Sequence, residues 1–192
     1  PAVFAPHMRL YGIGEREPWA FGPEAEAVAR KWLAFRYRLI PYLQRVIAEA
    51  VTTGMPVMRA MALAFPGNSL TRGYETQFMC GDTLLVAPVL QPGGEVEIAL
   101  PPGAWYDLIS RQRFPGQRVL RYKAGLDQFP VFGREGYALP MGFAVQHTGE
   151  GVPLVVVGDA DGEPLVLAES GVDPLRRRVG RPVAGAGHRE AV

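Results

Sequence analysis

From Gly22 to Gly54 the apolar residues Val28, Trp32, Phe35, Leu39, Tyr42, Val46 and Ala50 recur at steps of three or four. Beyond Gly54 that rhythm gives way to short alternating runs cut by Gly and Pro. The first pattern is one stripe of an amphipathic helix; the second belongs to strands joined by tight turns. The chain therefore reads as the end of one domain joined to the start of another. Gly22-Pro23 followed by Glu24 and Glu26 starts the helix, because Pro at the first helical position loses no hydrogen bond and early carboxylates meet the positive end of the dipole. Thr52-Thr53-Gly54, with Pro56 beyond, stops it. Pro41 interrupts the ladder, so a kink or split is predicted near Leu39-Ile40, costing about 3 kcal/mol unless packing offsets it.

The apolar stripe has to be covered, and the residues before Gly22 are too few to build a covering layer. Its partner is expected outside this sequence. After Gly54 the punctuation is that of an all-β domain. Thr83 to Val89 is a continuous apolar strand ended by Pro88, Glu95 to Leu100 alternates, and Pro101-Pro102-Gly103 turns. Trp105 to Ile109, Val119 to Tyr122 and Phe129 to Phe132 are further strands, and the spacing predicts a β-sandwich. From Phe143 the text turns Gly-, Ala-, Val-, Pro- and Arg-rich. Leu154 to Val157 and Leu165 to Leu167 read as two more strands, and Arg176-Arg177-Arg178 with the tail to Val192 reads as a disordered end.

Composition narrows the function classes. With 20 Lys and Arg against 19 Asp and Glu, the net charge of +1 supplies no field to attract nucleic acid or an anionic membrane. No apolar run reaches the length of a membrane span. The lone Cys80 excludes an internal disulfide, and its neighbours Phe78 and Met79 suggest a buried thiol. One cysteine does not set the compartment; cytoplasm is the working expectation. His147 and His188 lack partners at ligand spacing, so no metal site is expected. Met55, Met58, Met61 and Met79 read as core filler. Trp105 and Tyr106 point to opposite faces of a strand and are assigned to packing rather than to a sugar platform.

Several separated segments carry a resemblance. They are Arg9-Leu10-Tyr11-Gly12, Glu17-Pro18-Trp19, Arg36-Tyr37-Arg38-Leu39-Ile40-Pro41-Tyr42-Leu43, Gly54-Met55-Pro56-Val57-Met58-Arg59, and the run from Gln77 to Val89. In this order and spacing they resemble the C-terminal part of a family 31 glycoside hydrolase, the group containing α-glucosidases and α-xylosidases, over roughly the first three quarters of the chain. The resemblance implies a mixed fold: residues 1–54 form the end of the catalytic (β/α)8 barrel, a loop plus the last outer helix. Residues 55–142 form the proximal C-terminal β-sandwich, and 143–192 form a partial distal β domain with an Arg- and Gly-rich tail. The helix would then pack on barrel strands absent here, and the preceding loop would lie at the C-terminal face, where such barrels place their active sites.

The aspartates that serve the family as nucleophile and acid/base lie upstream of the resembled region, so no catalytic residue is assigned and the chain is read as a fragment. The opening Pro1-Ala2-Val3-Phe4, without an initiator Met, fits that expectation. Retention requires two carboxyls about 5 to 5.5 Å apart in one pocket. Asp82 and Asp107 are assigned to turn, edge or surface positions instead, and Glu15 and Glu17 to the loop. Where the family has an Arg-x-His segment whose histidine bonds substrate hydroxyls, Arg9 matches the arginine and Tyr11 stands at the histidine position. Tyr11, Arg9 and, as an alternative donor, His7 are the expected substrate-binding residues; rim and loop roles are the competing assignment. Trp19 is expected either under the helix start or on a sugar face. The resemblance implies no cofactor or metal. The expected partners are an oligosaccharide or glycoside substrate and the N-terminal barrel of the same protein; homo-oligomerisation stays open. Rival readings are a non-catalytic carbohydrate-binding or structural sandwich module, and a transglycosylase or lyase on the same barrel.

Overall fold

A computed structural model describes residues 3–7, 9–142 and 155–156. His147, His188, the predicted strand Leu165 to Leu167 and the tail from Arg176 lie outside the described residues. A 3-10 turn, Pro18–Phe21, leads into α1 (Pro23–Arg38) and α2 (Ile40–Thr53). The helix splits where Pro41 demands it. Leu39 carries the junction at φ −81° and ψ −5°, its amide shared between the carbonyls of Phe35 and Arg36, both at 3.0 Å. Gly54 ends α2 in the left-handed region at φ 75°, and its amide donates to the Ala50 carbonyl.

The β part follows. Its strands are β1 (Met58–Ala60), β2 (Phe78–Cys80), β3 (Leu84–Val86), β4 (Glu95–Leu100), β5 (Ala104–Asp107), β6 (Arg113–Pro115), β7 (Arg118–Lys123), β8 (Val131–Arg134), β9 (Pro140–Met141) and β10 (Val155–Val156). An antiparallel six-stranded sheet runs in the order β1-β2-β3-β8-β5-β6; β4 pairs with β7, and β9 with β10. Two short helices, α3 (Met61–Ala64) and α4 (Ser69–Arg72), interrupt what the sequence presented as all-β. Each is about one turn, too short to show a helical period, and α4 is capped by the Asn68 side chain accepting from the Thr71 amide. β3 is shorter than predicted because Pro88 has no N–H to continue the ladder.

Strand alternation divides the core in two. Cys80, Leu84, Val86 and Val131 face α2, where they bury Leu39, Tyr42, Leu43 and Val46 together with Phe4. Met79, Leu85, Phe132 and Trp105 face the other way, onto Ile98 and Leu100 of β4 and the half-buried Leu120 and Tyr122 of β7. This arrangement corrects one expectation. The lower half of the apolar stripe is covered by the sheet of this same chain, each large buried side chain there contributing about 1.5 to 3 kcal/mol. The upper half differs: α1 has no fully buried residue, Trp32 and Phe35 are half-buried, and Leu33 is exposed.

Polar links hold the layers. Gln77, almost completely buried, donates to the Ala99 carbonyl at 2.8 Å and accepts from the Ala99 amide at 2.9 Å. Its side chain thus ties the two-stranded β4–β7 sheet to the larger one as a strand neighbour would. Arg45 pairs with Asp82 at 2.6 Å and Arg59 with Glu49 at 2.8 Å. Cys80 is buried as expected, and burial pushes its thiol up to about 12. Met61 and Met79 are core residues, whereas Met55 and Met58 are half-buried.

Candidate functional site

The segment ahead of α1 is built from a fixed stem and an exposed loop. Phe4 is fully buried, its ring 6.3 Å from Phe78 and 5.6 Å from Phe129. Around it the Arg36 guanidinium donates through Nη1 to the carbonyls of Val3 (2.9 Å) and Ala5 (2.7 Å), and through Nη2 to that of Pro6 (3.1 Å). The chain then leaves the body of the protein. His7 and Arg9 are exposed and Tyr11 is 82% exposed. The Arg9 guanidinium lies 4.9 Å from the centroid of the Tyr11 ring, a cation–π contact of about 0.5 to 1 kcal/mol at an exposed site. Leu10, Ile13, Trp19, Phe21 and Leu33 are exposed as well, so Trp19 is not covered by the start of the helix. Exposed aromatics beside a fixed cation can stack on a sugar ring and donate to its hydroxyls.

Of the acids weighed in the sequence, Glu15 and Glu17 are exposed in this loop, whereas Asp82 and Asp107 lie elsewhere and are engaged. Asp82 accepts from Arg45 and from the Thr83 hydroxyl at 3.0 Å. Burial by itself would raise its pKa, but the hydrogen bond and charge of Arg45, with the Thr83 bond, outweigh that and hold it below the ordinary carboxylate range. Asp107 is buried rather than at the surface, and accepts from the Ile109 amide (2.9 Å), the Ser110 hydroxyl (2.8 Å) and the Tyr122 phenol (3.1 Å). Local backbone bonding, the reason Asp was expected there, is thus observed. Trp105 is in the core and donates to the Pro101 carbonyl at 3.0 Å, while Tyr106 donates to Glu135 at 3.0 Å. Among the described residues no group of three His, Cys, Asp or Glu could hold a metal ion, and no helix is long and apolar enough to cross a membrane.

Arg36 was visible in the sequence only as part of a motif, and nothing in its spacing announced three carbonyl partners. The same is true of Lys31 and Asp127. Lys31 bonds the Asp127 carboxylate at 2.7 Å and its carbonyl at 3.0 Å, and Trp32 reaches that carbonyl at 3.2 Å. Such pairs, more than ninety residues apart, leave no local signal.

Comparison with known proteins places these parts. Residues 1–46 match the glycosyl hydrolases family 31 TIM-barrel domain, and residues 54–139 match the glycosyl hydrolase family 31 C-terminal domain. The chain is similar to alpha-glucosidase 2 of Bacillus thermoamyloliquefaciens, 32% identical over 73% of this chain and 18% of that protein. It is also similar to the isomaltosyltransferase of Sporosarcina globispora, 38% identical over 76% of this chain and 15% of that protein. Among solved structures, a family 31 alpha-xylosidase from a soil metagenome complexed with xylose superimposes with a TM-score of 0.63 at 38% identity, over 66% of this chain and 19% of that one. The chain spans less than a fifth of the length of each of these relatives. With the end of the barrel domain and the C-terminal domain matched one after the other, and the helix pair and β-sheet domain found where those matches fall, this chain belongs to glycosyl hydrolase family 31.

Proposed function

We propose that this chain serves as the C-terminal portion of an α-glycoside hydrolase that removes terminal α-linked glucosyl or xylosyl residues with retention. In this reading the loop bearing His7, Arg9 and Tyr11 lines one side of the sugar subsite. The observation that carries the proposal is the succession of barrel end and C-terminal domain in one short chain, with similarity to an alpha-glucosidase and to an alpha-xylosidase. The exposed Arg9–Tyr11 pair supports the role of the loop, since it presents hydrogen-bond donors and an aromatic face together.

Retention divides the reaction into two displacements. One carboxylate attacks the anomeric carbon while a second carboxyl protonates the departing oxygen; water, activated by that second group, then releases the sugar. Asp82 and Asp107 are bound into the fold, and the resemblance to the family puts the reacting pair among barrel residues upstream of this sequence. The contribution of this chain is to hold the sugar and to buttress the barrel. A second reading is favoured by the isomaltosyltransferase relative: a sugar hydroxyl in place of water accepts the glycosyl group.

The test is to express the protein with its upstream coding sequence, beside residues 1–192 alone, and assay both on aryl α-glucoside and aryl α-xyloside. The long form is expected to release free sugar and the short form none. Transfer products in place of free sugar favour the second reading. Absence of turnover by the long form on both substrates, with maltose- and isomaltose-type oligosaccharides also left intact, would sink both.

A further inference from the structure

We infer that Arg36 is a positioning residue for the loop that carries His7, Arg9 and Tyr11, an inference that rests on assigning that loop to the sugar subsite. Arg36 stands on α1, half-buried, and its guanidinium gathers the carbonyls of Val3, Ala5 and Pro6 at 2.7 to 3.1 Å. The other arginines of α1 differ: Arg30 reaches Glu26 one turn away on the exposed face, and Arg38 is exposed. A planar fork with fixed donor directions sets the orientation of three carbonyls at once, which a compact ammonium cannot do.

The geometry makes this a clamp on the loop rather than a general contribution to packing. One end of the loop is continuous with α1 through the turn Pro18–Phe21 and Gly22. The other end is the stem Val3 to Pro6, held on the same helix by Arg36, with the buried Phe4 ring packed against Phe78 and Phe129. Both ends are thus referenced to α1. That helix is in turn tied to the β7–β8 connection by the Lys31 and Trp32 bonds to Asp127, and by the Trp32 ring standing edge-on to Phe129 at 5.4 Å. Arg36 holds the Pro6 carbonyl, and His7, Arg9 and Tyr11 follow exposed, so the direction in which the chain leaves Pro6 decides where those side chains stand. Misplacement of a substrate-orienting group by about 1 Å can cost a hundredfold in rate.

The experiment uses the upstream-extended enzyme and its Arg36→Ala and Arg36→Lys variants. Kinetics on aryl α-glucoside are measured with and without added guanidinium or ammonium ion. Tryptic cleavage after Arg9 and Arg16 is followed by mass spectrometry, with cleavage after Arg113 and Arg121 as the internal reference. Arg36→Ala is expected to lower kcat/KM about tenfold to a hundredfold, guanidinium to restore part of it and ammonium none. Cleavage in the loop should rise severalfold while the reference sites stay unchanged. Arg36→Lys, which keeps the charge without the fork, should not recover wild-type kinetics, and it carries the test alone if Arg36→Ala fails to fold. Kinetics within about twofold of wild type, or cleavage rising equally at all sites, overturns the inference. If the wild-type enzyme turns over neither the aryl glycosides nor the oligosaccharides named above, the glycosidase reading fails, and the cleavage pattern still decides the clamp.

Discussion

The Tyr42 phenol donates to the Cys80 carbonyl at 2.5 Å and accepts from the Thr83 amide at 3.3 Å, so a side chain of α2 closes the polar groups of the β2–β3 turn. Burial, with the Cys80 thiol and Asp82 nearby, holds its proton well above the ordinary phenol range, so it remains a donor at any working pH. Between these partners Gly81 adopts φ 61°, and a Cβ there would lie 2.6 Å from a Val46 methyl and against the Tyr42 hydroxyl.

Tyr42→Phe is therefore expected to destabilise residues 1–192 by about 2 kcal/mol or more, because a buried carbonyl and a buried amide lose their partner together. Gly81→Ala should cost a similar amount through strain and overlap. Urea unfolding of the two variants against wild type measures both. Midpoints equal to wild type would show that α2 is not seated on this turn.

Gln77 substitutes for a strand neighbour, and its replacement should be costly for the β4–β7 pair it holds. Gln77→Leu keeps the volume but leaves both backbone groups of Ala99 unpaired in the core, an expected loss of about 2 to 4 kcal/mol. Hydrogen exchange should localise the damage to β4 and β7, with β2, β3 and β8 less affected. Uniform acceleration, or none, would show that the β4–β7 pair docks through its apolar face alone.

The Arg45–Asp82 pair predicts an acid-sensitive increment of stability. The folded-state pKa of Asp82 is depressed, so its contribution is complete above the unfolded value of about 3.9 and is lost as the pH falls through the folded one. Wild type should exceed Asp82→Asn near pH 7, and the difference should shrink below about pH 4. Thermal melts of both proteins across that range test the sign. A difference that grew on acidification would contradict it.

Tyr11 offers the direct probe of the loop in the upstream-extended enzyme. If its phenol bonds a sugar hydroxyl, Tyr11→Phe should lower kcat/KM by roughly threefold to tenfold, equivalent to about 0.5 to 1.5 kcal/mol. Tyr11→His should alter the preference between glucoside and xyloside, which differ at C5. Unchanged kinetics on both would return Tyr11 to the rim and leave this chain a structural part of its enzyme.

Local chemistry accounts for what was legible in the sequence. The start at Gly22-Pro23, the break at Pro41 and the stop at Gly54 each follow from the allowed dihedrals of one or two residues; the strand at Glu95–Leu100 follows from alternation within a single run, and the run Val119 to Tyr122 marked the middle of Arg118–Lys123. Membership of the family was legible too, because its motifs are short and keep their order. The covering of Leu39, Tyr42 and Val46 was not: an apolar stripe states that it must be buried, without naming the layer that buries it. Nor was the bond of Gln77 to Ala99, 22 residues away, or the reach of Arg36 to carbonyls 30 to 33 residues earlier. Those partners are decided when the sheet and helices close on one another, since a hydrogen bond between distant residues depends on their positions in space and leaves no periodicity in the chain.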